Sequence, residues 1–542
     1  MNTNPSRPDR MLLTCLLLPV AAFLAFGLYG FCDTDQGFIQ ALSWRIVNGE
    51  IPYRDFIYVR PPVSIYLHAI PMLIFPSEWV ITFERFLFYF FISLSSYWIT
   101  RSLESYFDFK EIGLSPGTFA FIAFICSVHN FPPMPWHTVD GIFFASLGIN
   151  RICRGKNTFQ LFLGIIFIFL SGLCKQGFYP MIPAGFFLLG FLKGKKVLLQ
   201  VSALTAIFLS VSIGLILLAE PGWLLLFWQQ TTGATTLEDL LSVGLIRYVK
   251  PFLLIVVPLL IVWRAQGLYD RRYLPAIIFG LVFFSLLGLH IYRTLRFHIY
   301  TGPSYGFSQA FFLIAAGVAV KGFWVNRRAF ALLIVFLLLS WCTGISWGYA
   351  NNMLCFTPIL FGVIYGLYEE FGFTVPRYFY SIILVVLIWI FAILYQYPYR
   401  DAPRDQMNYL LAEVFPHFGW IYTGDDFYLK TSELQQLSQK YGGQFSVLPA
   451  YPLANFLTNS QNPLPTDWAH NNEMNSGRNE QWMEADLGKK ADFIFIEKDK
   501  MKEARDTGPF GSSITGFVLD HWEKIETGVY FDVYRSPRRS AQ

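Results

Sequence analysis

The chain has 542 residues, of which 54% are hydrophobic and only 14% charged, whereas an ordinary water-soluble domain carries about 25% charged residues. Aromatics reach 18%, the formal net charge is +4 and mean hydropathy is +0.42. These values exclude a disordered chain, a nucleic-acid binder and a single water-soluble core, and they predict a polytopic membrane protein.

Charge divides the chain near residue 400. Residues 1–399 carry a net +9 and residues 400–542 a net −5, and the long apolar runs stop near Tyr395. The division predicts a transmembrane domain over 1–399 and a soluble α/β domain over 400–542. The seven cysteines (15, 32, 126, 153, 174, 342 and 355) lie in or beside apolar segments, with none in the tail and no CxxC pair. Disulfides and thiolate zinc sites are therefore not expected.

In hydrocarbon every backbone polar group must be paired inside its own helix, so apolar runs of roughly 20 residues count as spans. The runs near 11–31, 80–100, 112–130, 138–152, 158–174, 178–192, 197–219, 247–263, 273–290, 304–320, 329–346, 351–368 and 378–396 predict an all-α membrane domain of about thirteen transmembrane helices. The proline-framed segment 61–76 is read as an interfacial helix; were it to span, every later segment would invert. Basic residues fall at every second connection: Arg7/Arg10, Arg101/Lys110, Arg151/Arg154/Lys156, Lys193/Lys195/Lys196, Arg264/Arg271/Arg272, Lys321/Arg327/Arg328 and Arg377. By the positive-inside bias the N-terminus is expected in the cytoplasm and the tail on the outer, periplasmic face.

On that topology the first outer loop, 32–79, holds a dense polar constellation. Asp33 and Asp35 follow the first span, 36–47 suits a short amphipathic helix, Asn48-Gly49 makes a turn, and Tyr53, Arg54, Asp55 and Arg60 precede Pro61-Pro62. His129, Asn130, His137, Asp140, Lys175, Gln176, Glu220, Arg293, Arg296, Asn351 and Asn352 are expected at the same level. Outer basic residues oppose the positive-inside trend, and a phosphate-bearing lipid gives them a reason. Arg60, Lys175, Arg293 and Arg296 suit charge-assisted hydrogen bonds to phosphate, and a nearby carboxylate suits a general base. Phosphate is a good leaving group, so one positioned carboxylate suffices where glycoside hydrolysis needs two. The plain readings are solvated or capping aspartates, a snorkelling Lys175, Glu84 and Arg85 pairing with each other, and Asp140 as a structural partner.

The stretch CDTDQGFIQALSWRIVNGEIPYRDFIYVRPPVSIYLHA resembles the first loop of the GT-C class of membrane glycosyltransferases. It is closest to the bacterial branch containing the lipid A aminoarabinose transferase and the protein O-mannosyltransferase-like enzymes. The matching positions are Asp33 or Asp35, then Gly49, Pro52, Tyr53 and Asp55, then Arg60-Pro61-Pro62. Asp140 and Lys175 resemble the family's later acidic and basic residues more weakly. The resemblance implies an inverting transferase in the bacterial inner membrane that moves a sugar from a polyprenyl-phosphate donor to a lipid, glycan or protein acceptor. It implies Asp33 as the preferred base with Asp35 supporting, and substrate contacts from Tyr53, Asp55, Arg60, His137, Asp140, Lys175, Arg293 and Arg296. No cofactor is expected, although a divalent metal is compatible with the class. A secondary transporter, an envelope scaffold, and a ligase or polymerase using a diphosphate-linked lipid are the alternatives.

In the tail, 401–415 reads as helix, 419–425 as a short strand, 427–440 as an amphipathic helix, 445–449, 491–498 and 530–536 as strands, and 458–480 as a long loop.

Overall fold

The computed structural model describes residues 9–128, 133–231, 305–346, 349–350, 353–372, 374, 392, 395–398, 400–474, 477–502 and 511–537. The first helix, α1 (Arg10–Ala22), starts where the Asp9 carboxylate accepts the amides of Met11 and Leu12, and a wider π turn, Phe23–Gly27, continues it. The loop helices α2 (Phe38–Val47) and α3 (Val63–Ile74) follow. Next come α4 (Ser77–Leu103), α5 (Pro116–Val128), α6 (His137–Arg154), α7 (Thr158–Gly172), α8 (Met181–Lys193), α9 (Lys195–Ala219) and α10 (Trp223–Thr231). Beyond residue 304 lie α11 (Tyr305–Phe323), α12 (Arg327–Thr343) and α13 (Thr357–Phe371).

Buried Phe, Leu and Ile side chains from α4 to α8 and α11 to α13 form one continuous apolar core. Helices α6 and α7 approach closely because Gly148 and Gly164 face each other; a Cβ on either would run into the other's carbonyl. By contrast α9 has much of its apolar surface exposed, including Leu199, Ile207, Val211, Leu215 and Leu218.

Among the described residues two helices are long and apolar enough to cross a membrane, Arg10–Gly27 and Lys195–Ala219. This corrects the expected count of thirteen. The apolar helices Val63–Ile74, Pro116–Val128 and Thr158–Gly172 have 12, 13 and 15 residues, about 18–23 Å at 1.5 Å per residue, short of a ~30 Å hydrocarbon layer. Helix α4 has 27 residues but carries Glu78, Glu84, Arg85 and Arg101. Helix α6 carries Asp140, Arg151 and Arg154. Apolar content alone did not separate such core helices from spans. The segments 247–263 and 273–290, and nearly all of 378–396, lie outside the described residues. The expected placement as a multi-pass bacterial inner-membrane protein with a periplasmic tail rested on the same count and is withdrawn with it.

In residues 400–542, strands β1 (Phe445–Leu448), β2 (Phe493–Glu497), β3 (Glu523–Thr527) and β4 (Phe531–Arg535) form one sheet in the order β1-β2-β4-β3. β1 and β2 run parallel, with Phe445 opposite Phe493, and the remaining pairs are antiparallel. Helices α14 (Asp425–Tyr441), α15 (Gly477–Lys489) and α16 (Ser513–His521) accompany it. The stretch expected to be helical at 401–415 is instead two short 3-10 turns around the strand Tyr409–Leu410, which pairs with Tyr422–Thr423. The expected loop at 458–480 contains a helical turn, Asn471–Met474, and the start of α15.

The first loop lies against this sheet unit. Phe31, Val80 and Ile81 share one apolar cluster with Leu434, Tyr451 and Phe531, and Ile57 and Val59 share another with Ile494 and Tyr534. Gly37 makes the turn into α2 at φ 102°, and a Cβ there would collide with Leu453.

Candidate active site

A buried polar chain fixes the first loop on the helices. Arg85 of α4 donates to the carbonyls of Gly27 (2.9 Å) and Gly30 (2.6 Å) and to Gln36 Oε1 (2.5 Å). One turn on, Gln40 donates to Glu84. His68 of α3 stands between two carboxylates, its Nδ1 3.4 Å from Glu84 and its Nε2 3.2 Å from Asp140 of α6. Gln40, His68, Glu84 and Asp140 are all buried, and Asp140 Oδ2 has no hydrogen-bond partner among the described residues. Glu84 and Arg85 therefore turn to different partners rather than to each other. A histidine and a glutamate on otherwise apolar helices are the sequence signal for such a chain.

Asp33 and Asp35 sit in different surroundings. Asp33 is buried, with Oδ2 2.6 Å from the Lys430 ammonium and Oδ1 3.3 Å from that of Lys500. Burial alone would raise its pKa; the charges of Lys500 and Lys430 outweigh it and bring it to about 2. Lys430 also meets Glu497 (2.8 Å) and Asp499 (3.0 Å). Burial would lower the Lys430 pKa, but Glu497, Asp33 and Asp499 raise it. Oxygens of Asp33, Glu497 and Asp499 lie within 4.8 Å of one another, a group that could hold a metal ion. Asp35 accepts from Arg400 at 2.9 Å; its side chain is 16% exposed and that of Arg400 55%. Exposed pairs of this kind are weak and open to exchange. The neighbouring Gln36, held by Arg85, fixes the backbone beside Asp35.

Further along the loop, Tyr53 adopts φ 71°, uncommon for a residue with a side chain, and its hydroxyl donates to the Arg60 carbonyl at 2.6 Å. Asp55 closes the turn by accepting the Ile51 amide at 2.8 Å and pairs with Arg54, which reaches on to Glu220. Arg60 is buried, makes two 2.5 Å bonds to Glu473 and packs over the Phe38 ring at 4.9 Å.

Arg60, His137 and Lys175 form a buried basic group. His137 opens α6, stacks on Trp136 and feels the charges of Lys175 and Arg60. Lys175 is 8% exposed; among the described residues its ammonium has the Thr138 hydroxyl at 3.3 Å and the Ile345 carbonyl at 2.7 Å. Burial first, then Arg60, lowers its pKa to about 7. A buried cation facing only neutral oxygens is a place where an anion gains most. Arg293 and Arg296 lie outside the described residues, as do His129, Asn130, Asn351 and Asn352. Lys430, Glu473 and Glu497 were not singled out from the sequence, since no local pattern there marks them as partners of the first loop.

The comparisons with known proteins give one kind of match. Solved structures of oligosaccharyltransferases from Archaeoglobus fulgidus are similar to this chain along nearly its whole length. One is the archaeal oligosaccharyltransferase AglB in complex with an inhibitory peptide and a dolichol-phosphate, at 13% identity and TM-score 0.45 over 98% of this chain and 74% of that one. Another, in complex with Zn and sulfate, is at 14% identity and TM-score 0.45 over 96% of this chain and 73% of that one. An apo form gives 12% identity and TM-score 0.43. No protein-family model matches, and no curated protein does.

Proposed function

We propose that the chain is an inverting glycosyltransferase that moves a sugar from a polyprenyl-phosphate donor to a hydroxyl of a lipid, glycan or protein. The observation that carries this reading is the buried Lys175 ammonium, grouped with His137 and Arg60 and faced by neutral oxygens. Among the described residues no carboxylate pairs with this ammonium, and a phosphodiester would supply the negative charge. The first-loop resemblance to GT-C transferases supports the same chemistry independently.

Of the two first-loop aspartates, Asp35 suits the base. Asp33 is pinned by two ammonium groups and holds its charge too firmly to accept a proton readily. Asp35 is partly open, with 16% of its side chain exposed, and pairs with the exposed Arg400. In the reaction, the acceptor hydroxyl gives its proton to Asp35 while its oxygen bonds to the anomeric carbon. The bond from that carbon to the phosphate oxygen breaks, the electron pair leaves with the polyprenyl phosphate, and Lys175 stabilises the departing charge. Attack opposite the leaving group inverts the anomeric centre. Asp140, held by His68 at 3.2 Å, serves in this reading to bind sugar hydroxyls through Oδ2, which has no hydrogen-bond partner among the described residues.

The test is incubation of the purified full chain with a panel of radiolabelled polyprenyl-phosphate hexoses and pentoses and a mixture of lipid, glycan and peptide hydroxyl acceptors, with NMR of the product's anomeric configuration. Transfer with inversion supports the reading, and transfer with retention overturns the mechanism.

A further inference from the structure

Among the described residues Lys430 is the one side chain that touches all three carboxylates of the Asp33 group. Its ammonium lies 2.6 Å from Asp33 Oδ2, 2.8 Å from Glu497 Oε1 and 3.0 Å from Asp499 Oδ2. An ammonium has three hydrogen-bond donors, and here each meets a different carboxylate. These are the same three residues whose oxygens converge closely enough to bind a metal ion. Glu497 is held further. Glu497 Oε2 accepts the Ala450 amide at 2.9 Å, and Lys500 reaches both Glu497 (2.7 Å) and the Ala450 carbonyl (3.1 Å).

We propose that Lys430 is the resident cation of this site: its ammonium holds the point among Asp33, Glu497 and Asp499 that a divalent ion would otherwise take. Three carboxylates and two lysines leave the cluster with a formal charge of −1. A metal entering beside Lys430 would face the ammonium groups of Lys430 and Lys500 at contact range. Lys430 has no wet alternative position, since it is buried with the Tyr451 and Phe531 rings 5.9 and 5.8 Å from its nitrogen. Because Lys430 belongs to α14 and Asp33 to the first loop, the cation arrives only when the sheet unit packs on that loop. The proposal is independent of sugar transfer.

Mn2+ titration of the purified full chain, followed by electron paramagnetic resonance, tests it. The wild-type chain shows no saturable Mn2+ site that depends on Asp33. Lys430→Ala removes the ammonium, leaves a formal −2, and gains one site saturating in about the 0.1–1 mM range of weak oxygen sites. The double variant Lys430→Ala with Asp33→Asn loses that site again, and Lys430→Arg stays metal-free. Lys430→Met, which keeps the apolar stem, replaces the alanine variant if the latter fails to fold by circular dichroism. Wild-type Mn2+ binding abolished by Asp33→Asn overturns the proposal, as does a folded Lys430→Ala or Lys430→Met chain that gains no site. Should neither variant fold, the wild-type titration with and without Asp33→Asn decides alone.

Discussion

Arg60 and Glu473 meet as a fork on a fork: two hydrogen bonds of 2.5 Å, donated by the guanidinium to the carboxylate, join side chains that are both buried and lie 413 residues apart in the chain. The pair ties the Pro61-Pro62 end of the first loop to the segment before α15. Breaking one half of such a pair leaves a charge stranded in the interior, which costs about 3–5 kcal/mol. Glu473→Ala is therefore expected to lower the unfolding free energy by that amount in a denaturant titration. The double replacement of Arg60 and Glu473 by methionine is expected to recover most of it. A loss in the double variant equal to the sum of the two single losses would show that the pair is not coupled.

Acid should loosen the first loop before it unfolds the helices. The folded pKa of Asp33 is depressed to about 2 from an ordinary 3.8. Its pairing thus contributes stability that is fully present above pH 4 and is lost as pH falls toward 2. The shift corresponds to about 2 kcal/mol. Thermal melts from pH 6 to pH 2 should show this loss, and Asp33→Asn should flatten it. An unchanged acid limb in that variant would place the dependence on other carboxylates.

Anion binding near Lys175 should depend on pH with the opposite sense. Its pKa is lowered to about 7 by burial and by Arg60, so the ammonium is charged below that value and neutral above it. A phosphodiester keeps one negative charge throughout this range, which leaves the change to the protein. Affinity for a polyprenyl-phosphate sugar, measured by calorimetry, should fall between pH 6 and pH 8. Lys175→Met should weaken binding at pH 6 by tenfold or more, about 1.4 kcal/mol or greater, and remove the slope.

The Glu84–His68–Asp140 chain predicts an order of stability among variants of His68. Replacing His68 with leucine leaves two buried carboxylates facing an apolar side chain, at a cost of about 3 kcal/mol. His68→Gln keeps a donor toward one of them and should restore part of that loss. Chemical denaturation of the two variants checks the order.

The parts of this architecture written in local pattern were legible. The turn at Asn48-Gly49, the helix 427–440 and the strands at 445–449, 491–498 and 530–536 follow from turn residues and alternation, and elements form there. The span count was not legible, because an apolar run does not reveal whether its helix faces lipid or a protein core. Helix α4 buries Ser93, Ser96, Glu84 and Arg85 against other helices, which no window of hydrophobicity reports. The ion pairs of the first loop were hidden for a different reason. Lys430 stands 397 residues from Asp33, and nothing in α14, a solvent-patterned helix with acidic residues at its start, singles out that lysine. The same distance in sequence concealed that Asp33, the preferred base by position, is held by the sheet unit while Asp35 is left more open.

Release of polyprenyl phosphate from a labelled polyprenyl-phosphate sugar by the purified chain, with lipid, glycan and peptide hydroxyl acceptors present, is the most direct measurement of the transferase reading. The wild-type chain and Asp140→Glu should release it, and Asp35→Asn should bind the donor with unchanged affinity yet release at least a hundredfold more slowly, as expected when a general base is removed. Full release by Asp35→Asn, or no release by the wild-type chain from any donor of this class, would contradict it.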